Sequence, residues 1–200
     1  MQTIRCQKSD MDKLIDLLLG GGIIAFPTDT VFGLACKMDE EAMAKVYAAK
    51  GRDFGKPLPM MCASLKMIKE VAYVDEAAQK IIEHFMPGAL TIVFRKRETV
   101  PSYVTQGLDT IGIRVPDDDF ILELISRLNT PLMVTSANVS GSGSLLSYKD
   151  VLKQMDGIID AIVCEDARGQ QASTIVDVSA GLKLLREGPI PFGAIEEVIR

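Results

Sequence analysis

Short aliphatic and β-branched runs recur along this chain, and several pass directly into polar segments rich in hydroxyls or glycine. Ile23-Ile-Ala-Phe26 leads into Pro27-Thr28-Asp29-Thr30-Val-Phe-Gly33, and Pro131-Leu-Met-Val134 leads into Thr135-Ser-Ala-Asn138-Val-Ser-Gly-Ser-Gly-Ser144. Leu34–Cys36, Leu58–Ala63, Ala89–Phe94, Thr110–Val115, Ile158–Cys164, Ser173–Val178 and Leu182–Arg186 have similar strand-like composition. Runs of this length bury well as strands and are too short for most helices. Between them lie amphipathic stretches. Met11, Leu14, Ile15, Leu17 and Leu18 share a face behind Asp10 and stop at Gly20-Gly-Gly22, while Ala42, Met43, Val46 and Tyr47 form a stripe behind Asp39. Ser64 and Asp75 open two more helices, Pro116 and three aspartates precede another through Phe120, Leu124 and Leu128, and Ser147 or Asp150 starts a further one. A short helix is expected over Ile195–Ile199, after Gly188-Pro189 and Pro191. Strand and helix patterns alternate irregularly with no linker, repeat or low-complexity tract. The pattern predicts one α/β domain over residues 1–200, a mixed twisted sheet flanked by helices.

Composition narrows the function classes. The chain has 200 residues, 48% of them hydrophobic and 24% charged, enough for one large buried core. A formal net charge of −5 argues against nucleic acid binding across a whole face but leaves room for a local basic groove. Lys50-Gly-Arg52-Asp-Phe-Gly-Lys56-Pro-Leu58 gathers Lys50, Arg52 and Lys56 where the second helix ends, and its glycines and proline place Arg52 and Lys56 on a loop. Taken alone, that cluster reads equally as a solvated surface or as one wall of an anion site. Cys6, Cys36, Cys62 and Cys164 form no C-x-x-C pair and read as reduced cytosolic thiols. His84, the single histidine, falls on an amphipathic helix and reads as structural. The N-terminus lacks the layout of a signal peptide, and Asp16 and the glycines interrupt the run from Leu14 to Phe26, so no membrane span is expected.

Polar segments at Thr28–Thr30, at Thr110–Arg114 and at Ser136–Ser144 adjoin or lie on expected strands, where open α/β sheets collect ligands. A phosphate-rich ligand unites them with the cation cluster, since Arg offers bidentate contacts, Lys a point charge, and Ser/Thr/Gly loops hydroxyls and accessible N–H groups. There is neither a Walker A motif nor a G-x-G-x-x-G after the first strand. Ser136 lacks the G-x-S-x-G setting of a nucleophile, so hydrogen bonding is its expected role, beside the plainer reading of Ser136-Ala-Asn138 as a strand-to-loop turn. Arg114 alternates with Ile113 and Val115 and reads either as a site residue or as an exposed strand charge.

Several segments together carry a family resemblance: Phe26-Pro-Thr-Asp-Thr-Val-Phe-Gly-Leu34, Lys50-Gly-Arg52 with Lys56-Pro-Leu58, Met86-Pro-Gly-Ala-Leu-Thr91, Thr110-Ile-Gly-Ile-Arg-Val-Pro116, Thr135-Ser-Ala-Asn-Val-Ser-Gly141, Ser173-Thr-Ile-Val-Asp177 and Leu185-Arg-Glu-Gly188. In that order and spacing, from Ile23 to about Ile190, the chain resembles the YrdC/TsaC family of L-threonylcarbamoyladenylate synthases. The resemblance implies a YrdC-like fold with a concave basic groove. It also implies formation of threonylcarbamoyl-AMP and pyrophosphate from L-threonine, bicarbonate and ATP, in the cytoplasm, for t6A modification of tRNA adenosine 37. By motif match Lys50, Arg52, Ser136 and Asn138 would be the catalytic K-x-R and S-x-N pairs. With Lys56, Thr110, Ser144 and Arg186 they would bind ATP, and Thr30, Arg114 and Ser173 would hold threonine. Mg²⁺ would arrive with ATP, without an assigned protein ligand. Phe32 and Met86 replace a common tyrosine and tryptophan, and Met61 stands where some relatives carry a histidine near the substrate.

The length is that of a catalytic domain alone, which implies a short form that hands its product to a separate threonylcarbamoyl transferase complex. Two other readings compete. One is a tRNA or double-stranded RNA binding module using the same basic groove, although that leaves the hydroxyl-rich loops without a small ligand. The other is the related carbamoyl-transfer domain of hydrogenase maturation proteins, disfavoured by the lack of their accessory domains.

Overall fold

The structure, a computed structural model, describes residues 2–53 and 55–200. Ten strands form one sheet: β1 (Ile4–Cys6), β2 (Ile24–Phe26), β3 (Gly33–Lys37), β4 (Met60–Met61), β5 (Leu90–Arg95), β6 (Thr110–Arg114), β7 (Leu132–Ser136), β8 (Ala161–Val163), β9 (Thr174–Asp177) and β10 (Lys183–Arg186). Their order is β1-β8-β2-β3-β7-β4-β6-β5-β9-β10. Parallel pairs (β1 with β8, β4 with β6, β5 with β9) are interspersed with antiparallel ones (β2 with β3, β3 with β7, β5 with β6), so the sheet is mixed as the pattern predicts. The helices are α1 (Met11–Leu19), α2 (Glu40–Lys50), α3 (Leu65–Val71), α4 (Glu76–Phe85), α5 (Asp119–Leu128), α6 (Tyr148–Met155) and α7 (Phe192–Val198).

Helix starts follow side-chain chemistry. Asp39, Ser64, Asp75 and Asp118 accept hydrogen bonds from backbone N–H groups of Ala42, Met67, Ala78 and Ile121, each cap typically contributing about 1 kcal/mol. Of the two candidate starts for α6, Ser147 is the one used, accepting from the Lys149 N–H. Asp10 takes the capping position of α1, but its carboxylate turns back to accept the Gln7 N–H at 2.7 Å. One expectation needs correction: the last helix runs over Phe192–Val198, beginning directly after Pro191, and not over Ile195–Ile199. β1, three residues paired with β8, was not anticipated from the sequence.

Strand alternation divides the core. Ile24 and Phe26 pack with Leu14, Leu18, Ile121 and Leu124 of α1 and α5, whereas Ile23 and Ala25 belong to the cluster that includes Val46 and Tyr47 of α2. Phe26 meets Phe120 edge to face with centroids 6.3 Å apart. Along β5, Leu90, Ile92 and Phe94 enter the core, and Ile111 and Ile113 of β6 and Val176 of β9 join them. The intervening residues Thr91, Val93, Thr110, Gly112, Arg114, Ile175 and Asp177 therefore share the opposite face, which lines a cavity. No helix among the described residues is long and apolar enough to cross a membrane.

Candidate functional site

The cavity measures about 470 Å³. Its floor is that face of β5, β6 and β9. Thr28, Thr30 and Phe32 line it from the β2–β3 segment, Arg52 and Pro57–Met61 from the turn after α2, Val134–Ser136 from β7, and Ser144, Ser173 and Arg186 from further segments. Gly112 leaves the floor low: a Cβ there would stand 3.5 Å from Thr91 Cγ2 and 3.8 Å from Pro59 Cβ and Val93 Cγ2.

One polar cluster centres on Arg114, which is 5% exposed. Its Nε donates to Gly88 O at 2.9 Å, Nη1 to Thr30 Oγ1 at 2.6 Å, and Nη2 to Asp29 Oδ1 and Oδ2 at 2.7 and 2.6 Å. Burial works against the Arg114 charge, and the Asp29 carboxylate works for it. Beside this cluster the Thr91 and Ser173 hydroxyls lie 2.8 Å apart, and Arg186 Nε and Nη2 donate to Ser173 O at 3.1 and 2.8 Å.

A second cluster lies where α2 ends. Gly51 closes the helix at φ 55°, a left-handed conformation that glycine adopts without strain. Lys50, 2% exposed, points inward, and its ammonium donates to Ser136 O and, at 2.6 Å, to Asn138 O. Burial, and secondarily the Arg52 charge, pull its pKa down to about 8. Lys50 O accepts the Ser140 N–H at 2.9 Å, so helix and loop are tied twice. Asn138 Oδ1 is buried without a hydrogen-bond partner among the described residues. Arg52 donates through Nε to Lys56 O and through Nη2 to Pro57 O, both at 3.2 Å. Among the described residues no carboxylate forms an ion pair with Arg52 or Arg186, whereas Arg114 is paired with Asp29.

The segment after β8 braces the first cluster. Arg168 N–H donates to Thr28 O at 3.1 Å, and its guanidinium bonds Asp117 O at 2.6 Å and Asp118 Oδ2 at 3.2 Å. Gly169 follows so closely that a Cβ would sit 2.3 Å from Thr30 O, 2.5 Å from Thr30 Cα and 2.6 Å from Asp29 O. Those are backbone atoms, so Gly169→Ala must displace either the brace or the Asp29–Thr30 turn. We expect a loss of about 2 kcal/mol of stability, checked by urea denaturation, with an unchanged midpoint counting against the contact.

Thr30, Arg52, Thr110, Arg114, Ser136, Ser144, Ser173 and Arg186 thus reach the cavity wall from sequence-distant motifs. Lys50, Lys56 and Asn138 are not among its lining residues: Lys50 and Asn138 are buried behind it, and the Lys56 side chain is exposed. Arg114 proves not to be an exposed strand charge, and the lining mixes arginines and hydroxyls with the half-buried carboxylate of Asp177. His84 is exposed at the end of α4, outside the cavity. Of the three substituted positions, Phe32 and Met61 line the cavity, whereas Met86 is not among its lining residues. Sequence reasoning missed Asp29 and Arg168, whose partners lie far along the chain. It also missed Thr91, whose hydroxyl between Leu90 and Ile92 was the available signal.

Comparison with known proteins places this arrangement. The Sua5, YciO and YrdC family model, described as telomere recombination, matches residues 16–188. A Pyrococcus abyssi threonylcarbamoyl-AMP synthase is 37% identical over 183 residues, covering 90% of this chain and 54% of its own length. A Methanocaldococcus jannaschii protein assigned provisionally to the same activity is 38% identical over 192 residues, 93% of this chain and 89% of its own. The crystal structure of Pyrococcus abyssi Sua5 complexed with L-threonine superposes with a TM-score of 0.89 at 34% identity, over 99% of this chain and 60% of that one. This chain therefore spans about half the length of the Pyrococcus synthase and most of the Methanocaldococcus protein. Matched across most of its length by the family model and by relatives well above 30% identity, the chain belongs to the Sua5/YciO/YrdC family.

Proposed function

We propose that this chain condenses L-threonine, bicarbonate and ATP into threonylcarbamoyl-AMP, releasing pyrophosphate and water, to supply t6A modification of tRNA. The reading draws on the relatives' names and on the threonine bound by the Pyrococcus protein. The observation in this chain that carries it is one cavity joining the Thr30–Arg114 cluster and Ser173 to Ser136, Ser144 and Arg52, which has no ion-pair partner among the described residues.

In this proposal Thr30, Arg114 and Ser173 hold threonine, while Arg52, Thr110, Ser136, Ser144 and Arg186 gather the nucleotide. Lys50 anchors the Ser136–Asn138 turn from behind, keeping its charge beside the phosphates, and Lys56 O steadies Arg52. The threonine amine and bicarbonate give N-carboxythreonine and water. A carbamate oxygen then attacks the α-phosphorus, and pyrophosphate leaves with the bridging electron pair. No covalent enzyme intermediate is needed; proximity and cationic stabilisation of the departing charge supply the acceleration. Among the described residues no group of three or more His, Cys, Asp or Glu is placed to hold a metal ion. Hydroxyls and a lone carboxylate suit Mg²⁺ arriving on the phosphates with most of its waters. In the cell, the product would pass in the cytoplasm to a separate threonylcarbamoyl transferase complex acting on tRNA.

The direct test incubates purified protein with ATP, Mg²⁺, threonine and bicarbonate, and measures pyrophosphate and threonylcarbamoyl-AMP. Both products should form together and depend on threonine. Folded protein that yields no more than an ATP-only control would refute the assignment.

A further inference from the structure

We propose that Asp29 is a positioning residue for the amino-acid substrate, holding the Arg114 guanidinium so that an N–H of Nη1 remains for the substrate carboxylate. This rests on the threonine site proposed above and adds to it a residue that the motif match leaves without a role.

Three separate groups grip the guanidinium: the Asp29 carboxylate on Nη2, Thr30 Oγ1 on Nη1 and Gly88 O on Nε. Each Nη carries two hydrogens, so these contacts leave one at Nη1 unassigned. The Thr30 hydroxyl is itself directed. Thr28 Oγ1 donates to Val31 O at 2.7 Å, so the 3.0 Å contact between the two hydroxyls is a donation from Thr30 to Thr28. Thr30 Oγ1 is then free to accept from Arg114.

The carboxylate is placed by the backbone that carries it. Arg168 N–H bonds Thr28 O, and Gly169 packs against Asp29 O and the Thr30 backbone, so the turn has little room to shift. Asp29 approaches Nη2 with both oxygens and leaves the second N–H of Nη1 uncovered, so it directs the arginine without occupying the seat of the incoming carboxylate. A carboxylate that competed for that seat would have the opposite effect on substrate affinity, which makes the two roles separable.

The test compares wild type, Asp29→Asn and Asp29→Glu by steady-state kinetics, varying threonine and ATP separately, with threonine binding followed by calorimetry. Asp29→Asn should raise the threonine KM and Kd by roughly tenfold or more while the ATP KM stays within about twofold, and Asp29→Glu should recover part of the loss. If Asp29→Asn fails to fold, Asp29→Glu carries the test: its carboxylate, one methylene farther out, should still raise the threonine KM selectively. An unchanged or lowered threonine KM, or equal losses for threonine and ATP, would overturn the proposal. Wild type that neither binds threonine nor forms product would instead remove the proposed function beneath it.

Discussion

Replacing Arg52 by alanine is expected to lower turnover by about a hundredfold or more at saturating ATP and threonine. Arg52 lines the cavity and has no acidic partner among the described residues, so its charge is available to a ligand, unlike that of Arg114. Two backbone carbonyls, Lys56 O and Pro57 O, fix its guanidinium without neutralising it. Preorganised cations act most strongly where negative charge develops, as on the departing pyrophosphate. The loss should therefore fall on kcat, with a smaller change in ATP KM. Because Arg52 is half-buried on a loop, stability should hardly change, and a melting curve of the variant separates catalysis from folding. An unchanged rate at saturating ATP would remove Arg52 from the transition state.

Replacing Lys50 by methionine should act first on stability. The ammonium serves the carbonyls of Ser136 and Asn138. Methionine fills much of the volume but donates nothing, leaving two buried acceptors unpaired. Set against relief from burying a charge, the net loss should be about 2 kcal/mol. The pH dependence identifies the group. The unfolded chain keeps a lysine proton up to about pH 10.5, while the folded protein releases it near 8. Between those values the unfolded state binds more protons, so the penalty of the buried charge, fully present below pH 8, is relieved as pH rises. Cys36, its thiol pushed up to about 12 by burial, acts in the opposite direction, but equally in both proteins. Wild type should therefore gain stability relative to Lys50→Met from about pH 8 to 10.5, and a constant difference across that window would contradict the assignment. Turnover should fall as well, because the anchored turn carries Ser136 into the cavity.

Much of this protein was determined by its sequence alone. Period-two runs and capped apolar stripes dictate an α/β chain, because backbone hydrogen bonding and burial permit few other uses of such patterns. The motifs likewise name the segments that meet at the cavity. Direction along the side chain is a different matter. Lys50 and Arg52 differ by one intervening glycine, yet the end of α2 turns one behind the β7 turn and leaves the other on the cavity wall. Thr28, Asp29 and Thr30 look alike as turn formers, but only the fold brings Asp29 onto an arginine 85 residues away. Arg168 and Gly169 carry no motif; what they do depends on backbone from β2–β3 passing within contact distance. Local patterns are set by neighbours in the chain, so the sequence displays them. Which buried charge meets which partner is set by packing among segments far apart, and there the tertiary structure alone decides.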